Sequence, residues 1–172
     1  LVFSSGRSGD FDLWTLELET LDLRQLTSGK GLHDFPRWSP DGRQIAYIGT
    51  SDDLISSLWI MNRDGSGKKR LTFKVHAQHP SWSADGKSIL FTANVENGEE
   101  VEICSYDLTL EKYELLMRRS GQETEPCLSP DGSRLLFASI NPDSTEPFVN
   151  RDTEIWEHDL ASGEERKICS HP

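Results

Sequence analysis

The residues with the most chemical potential are histidines and carboxylates that recur at matched places. His33 and Asp34 come first, then His76, Gln78 and His79, then Gln122, Glu123 and Glu125. Imidazoles and carboxylates converging from successive segments are a donor set for a divalent metal. One expectation is therefore a metal held among His33, Asp34, His76, His79, Gln122 and Glu123. The plainer alternative is that these groups hydrogen-bond water or neighbouring backbone, since no sequential metal motif accompanies them. A second candidate is the segment 141–152, Asn-Pro-Asp-Ser-Thr-Glu-Pro-Phe-Val-Asn-Arg-Asp. Asp143, Glu146, Arg151 and Asp152 offer polar contacts to a protein or peptide partner there. Phe148 and Val149 offer an apolar anchor, or fold back on their own sheet.

Other chemistries find no support. Gly6-Arg-Ser-Gly9 lacks the spacing of a nucleophile elbow. Gly65-Ser-Gly-Lys68 lacks the long glycine-spaced loop of a phosphate site. Three cysteines make no disulfide framework and have no zinc spacing. Cys104 and Cys169 are expected to be small core residues, and Cys127 to face either a channel or the core. Eighteen basic against 29 acidic residues give a net charge of −11, which argues against a nucleic-acid partner. No apolar run reaches the roughly 18 residues of a membrane helix. The chain opens at Leu1 rather than Met and reads as a processed chain or a segment of a longer one.

The elements that must position these residues announce themselves by repetition. Pro36-Arg-Trp-Ser-Pro-Asp-Gly42, Pro80-Ser-Trp-Ser-Ala-Asp-Gly86 and Pro126-Cys-Leu-Ser-Pro-Asp-Gly132 are successive copies of one stretch. Each is followed by an apolar run: Ile45-Ala-Tyr47, Ile89-Leu-Phe91, Leu135-Leu-Phe137; Leu1-Val-Phe3 matches them. A third element begins Leu13-Trp14, Leu58-Trp59, Ile103-Cys104 and Ile155-Trp156. A fourth ends Leu26-Thr27, Leu71-Thr72, Leu116-Met117 and Ile168-Cys169. The short runs, their β-branched and aromatic content and the Asp-Gly turns between them read as strands joined by hairpins. Glu111–Arg119 is the best helix candidate, but its alignment with the other fourth elements argues for strand.

Four short antiparallel strands in a unit of about 45 residues describe a β-propeller blade. The fold class is all-β, with units near 1–32, 33–75, 76–120 and 121–172 in one domain. The first unit lacks its innermost strand. Stacked blades bury each other's faces, so Trp14, Trp38, Trp59, Trp82 and Trp156, with Leu128 in place of a motif Trp, are expected in the inter-blade core. A ligand platform is the alternative for these indoles. Two uncovered blade faces call for a partner, a longer parent chain or self-association.

The run Trp-Ser-Pro-Asp-Gly, followed by the Leu-Trp and Leu-Thr elements, resembles the TolB-type propeller repeat over essentially the whole chain. Ala84 and Leu128 depart from the motif conservatively. The resemblance implies a six-bladed ring, of which four units are present here. It also implies a non-enzymatic scaffold that binds protein or peptide in the bacterial envelope, in the periplasm or otherwise outside the cytoplasm. Related propellers offer two alternatives: the propeller of a prolyl-oligopeptidase-like peptidase whose catalytic domain lies outside this chain, and a metal-dependent propeller lyase. The loops between blades and between second and third strands carry 14 acidic against 6 basic residues. That acidic face suits a basic or cationic partner, or is a solvated rim.

Overall fold

The computed structural model describes residues 1–94, 101–118, 122–140 and 153–170, without the side chains of Gln122 and Ser170. Among them are fifteen strands and one 3₁₀ turn, Gly6–Ser8. The first blade has β1 (Val2–Ser5), β2 (Asp12–Leu16) and β3 (Leu23–Gln25). The second has β4 (His33–Trp38), β5 (Gln44–Thr50), β6 (Ser56–Asn62) and β7 (Lys69–Arg70). The third has β8 (His76–Trp82), β9 (Ser88–Asn94), β10 (Val101–Asp107) and β11 (Lys112–Met117). The fourth has β12 (Gln122–Leu128), β13 (Arg134–Ile140), β14 (Thr153–Asp159) and β15 (Glu165–Ser170). Pairing within each blade is antiparallel and sequential. A single parallel contact, Val101 with Gln122, joins the third and fourth blades into one eight-stranded sheet. The strand reading of 111–119 holds, with β11 in its place. No helix among the described residues is long and apolar enough to cross a membrane.

The repeated motif folds by local hydrogen bonds. Ser39 donates its hydroxyl to Asp41 Oδ1 at 2.7 Å, and Arg43 N–H donates to the same carboxylate oxygen at 3.0 Å. Ser83–Asp85–Lys87 and Ser129–Asp131–Ser133 repeat this geometry. Gly42, Gly86 and Gly132 have φ of 67°, 70° and 74°, the left-handed region a Cβ disfavours. The Leu-Thr element seals the other end of the blade. Thr27 and Thr72 hydroxyls accept the buried amides of Leu13 and Leu58 at 2.8 and 2.9 Å, so neither N–H is orphaned where the outer strand departs.

Side chains alternate across each strand, and both faces of an inner blade are apolar. Leu13, Ile45, Tyr47 and Met61 pack between the first two blades. Ile48, Leu58, Ile89, Phe91 and Cys104 fill the second seam, and Leu90, Ile103, Leu135 and Phe137 fill the third. The tryptophans correct the expectation. Trp14, Trp38, Trp59, Trp82, Trp156 and also Leu128 are half-buried, while the fully buried side chains are mainly their aliphatic and Tyr/Phe neighbours. The indole is long and carries a donor that must find an acceptor. Trp59, Trp82 and Trp156 meet that need at the seam edges, on Gly49 O, Arg37 O and Glu154 Oε2. Cys104 is buried as expected. Cys169 is exposed instead, because it lies on the outermost strand of the fourth blade.

Candidate functional site

The innermost strands β4, β8 and β12 share one irregularity. Their pairing slips between Asp34 and Arg37, between Gln78 and Ser81, and between Thr124 and Cys127. At each slip the residue before the motif proline is left-handed: Phe35 at φ 52°, His79 at 49° and Glu125 at 52°. Such φ values are uncommon for residues other than glycine. The proline that follows has no N–H to leave unbonded, so the ladder breaks there without an orphan donor. Pro36, Pro80 and Pro126 are all buried. The bulge re-aims one side chain per blade, and the repeat brings the three into sequence around the inner edge.

These three side chains touch in a chain. The Phe35 and His79 rings meet edge-on with centroids 5.0 Å apart. His79 Nε2 lies 3.8 Å from Glu125 Oε1, and Arg37 Nη2 lies 3.6 Å from Glu125 Oε2. His79 Nδ1 contacts the Thr92 hydroxyl at 3.2 Å. Burial lowers the His79 pKa; Glu125 opposes that shift and Arg37 adds to it. The result is a largely neutral imidazole between an apolar ring and a half-exposed ion pair, a mixed apolar and polar surface. Phe35 and Arg37 escaped the sequence reading. The available signal was the thrice-repeated residue before proline.

Several of the residues nominated for a metal have other partners or surroundings in the structure. His33 Nδ1 stands 3.1 Å from Asp12 Oδ1, a carboxylate that also accepts from Ser8, Gln25 and Thr27. Asp12 is thus 3% exposed, structural rather than part of the acidic loop surface. Asp34 accepts from the Ser4 hydroxyl at 2.6 Å and from Phe35 N–H at 2.7 Å. His76 is exposed, and Glu123 is buried at 1%. Gln122 belongs to β12, and its side chain lies outside the described residues. Among the described residues no group of three or more His, Cys, Asp or Glu side chains is placed to hold a metal ion. The partner-binding residues Asp143, Glu146, Phe148, Val149, Arg151 and Asp152 all lie outside the described residues.

Where the acidic face is described, its charges are partly compensated. Arg70 bridges Asp53 at 2.8 Å, and Arg118 Nε reaches the buried Glu102 at 2.6 Å. Among the described residues the opposite face carries grooves at its seams. Volumes of about 570, 340 and 290 Å³ lie over Trp38, Trp82 and Leu128, beside the Asp-Gly turns.

A family model described as the TolB beta propeller domain matches residues 1–156. The chain belongs to that family. Among curated proteins, a Tol-Pal system protein TolB of Francisella tularensis is 29% identical over 99% of this chain and 38% of its own length. The uncharacterized peptidase YuxL of Bacillus subtilis is 29% identical over 84% of this chain and 27% of its own. The crystal structure of TolB from Acinetobacter baumannii superposes with a TM-score of 0.76 at 21% identity, covering 97% of this chain and 40% of that one. The chain therefore spans about two fifths of the TolB relatives it matches, and the TolB fold is what the structural likeness shows.

Proposed function

We propose that this TolB-family chain is a protein- or peptide-binding propeller segment of an envelope system of the Tol-Pal kind, working outside the cytoplasm and without catalysis of its own. The observation that carries this reading is the row of inner bulges. One backbone geometry presents Phe35, His79 and Glu125 in turn, with Arg37 beside them. A scaffold that keeps the backbone and varies the side chain is built to read a surface. The TolB names of the relatives supply the class of partner. The acidic loops and the residues of the segment 141–152 are proposed as further contacts to a basic partner.

The test is titration calorimetry of the purified chain with the Pal-type protein of the same source. Saturable binding that weakens in Glu125→Ala and Phe35→Ala, with unfolding midpoints unchanged, is the expected result. Binding indifferent to both substitutions would move the site elsewhere. The YuxL relative favours a second reading, the propeller of a peptidase. An α/β-hydrolase segment with Gly-x-Ser-x-Gly in the adjoining polypeptide would favour that reading over the first.

A further inference from the structure

The second and third seams are built from matching positions filled by side chains of different size. By register, Arg37, Ala46 and Ile60 form one row across the second blade. Ser81, Leu90 and Ser105 form the same row across the third. The motif position of the following blade packs toward each row. At the second seam it is Trp82, whose indole donates to Arg37 O at 3.0 Å and packs on the same core cluster as Ile60 and Leu108. At the third seam it is Leu128, which packs with Leu116 and Leu160 on the cluster that holds Leu90 and Ile103.

The two seams open beside the Asp-Gly turns in grooves of about 340 and 290 Å³. Their mouths correspond residue for residue, with Pro40, Asp41, Ala84 and Asp85 at one and Ala84, Asp85, Pro130 and Asp131 at the other. Their floors differ. The second-seam groove meets Trp82 and is lined by no residue of β6 or β7. At the third seam Leu128 is shorter than an indole, and Ser105 stands where Ile60 does. The groove there continues inward to Ser105, Leu116 and Leu160. Leu90, in place of Ala46, takes up part of the vacated volume and is fully buried beneath. What remains is a recess walled by three half-buried leucines with one hydroxyl on its floor. A serine hydroxyl can accept a hydrogen bond as well as donate one.

We propose that the third-seam recess takes an indole ring, presented as a tryptophan side chain by a polypeptide partner. The ring lies on Leu116, Leu128 and Leu160 and donates its N–H to Ser105 Oγ. The chain itself argues for this occupant, because an indole is what fills the matching place one seam earlier. The mouth lies between the exposed turns at Asp85 and Asp131, which leaves room for the backbone that carries the ring. A buried aromatic anchor with its polar atom satisfied is the usual core of a small protein contact. The recess lies on the face opposite the acidic loops and goes beyond the inner-bulge reading, so the failure of either leaves the other standing.

The experiment titrates the chain with N-acetyl-tryptophan amide and follows leucine methyl groups by NMR. The expected result is saturable shifts at Leu116, Leu128 and Leu160, with a dissociation constant on the order of millimolar. N-acetyl-leucine amide should bind about tenfold more weakly. Ser105→Ala should weaken the tryptophan amide by about fivefold and leave a naphthylalanine amide, which has no ring N–H, unchanged. Leu128→Trp supplies the ring from within and should abolish binding; the Ser105 comparison stands whether or not that variant folds. Equal binding of the leucine amide, equal shifts at all the seams, or no shifts at tens of millimolar would overturn the proposal. So would a tryptophan affinity untouched by Ser105→Ala. Free indole that shifts the same methyls while the amide does not would overturn the polypeptide source.

Discussion

The seam between the second and third blades and the outer face of the first blade use the same repeat positions to different ends. In the seam, Phe91 is fully buried and Cys104 beside it is sealed from solvent. On the outer face the equivalent Phe3 and Trp14 are half-buried, and Arg7 is the cover the chain itself provides. Trp82 reaches a carbonyl of the neighbouring blade, while Trp38 overlooks a groove. Repeat position thus selects the residue type. The neighbouring blade determines how much that residue stabilises.

Substitution at paired positions measures this difference. Phe91→Ala should cost about 3–5 kcal/mol through a cavity in a packed seam, whereas Phe3→Ala should cost well under half of that. Urea unfolding of both variants checks the contrast, and equal losses would mean that the outer face is as well packed as the seam. Trp82→Phe should cost about 1 kcal/mol for the lost bond to Arg37 O. Trp38→Phe should cost less, and thermal melts of the pair would show the gap.

A smaller effect concerns pH. Burial lowers the His79 pKa, so the unfolded chain takes up the proton more readily than the folded one. The contribution of neutral His79 is full above the unfolded value of about 6.5 and is lost as pH falls from there toward the folded value. Urea midpoints on either side of that value should fall on acidification, and less so in His79→Gln. The smallest perturbation is chemical. Burial, with the Glu102 charge nearby, pushes the Cys104 thiol up to about 12, while Cys127 and Cys169 are exposed. Brief alkylation followed by mass mapping should label the exposed pair and spare Cys104. Labelling of Cys104 at the same rate would mean that the seam opens on that timescale.

Much of the fold was readable because a propeller repeats its local rules. Ser39, Asp41 and Gly42 close a hairpin with bonds spanning only a few residues, and their copies at Ser83 and Ser129 do the same. Such short-range chemistry is written in adjacent letters. The candidate site was harder to read, because the contacts that join its bulges link residues 44 or more positions apart, as Phe35 to His79 and Arg37 to Glu125 do. The sequence could nominate His33, Asp34 and His79, but it could not show that Asp12 takes His33 and that Ser4 and the Phe35 amide take Asp34.

From the amino-acid order alone came the strand count, the turn chemistry and the alternation that makes each blade apolar on both sides. All of these follow from backbone sterics and from the two-residue period of a strand. Tertiary structure decided which tryptophans find an acceptor, which cysteine is sealed, and that three residues before proline meet at the inner edge. The Trp82 bond and the meeting at the inner edge depend on the distance between blades, and no single repeat contains that distance.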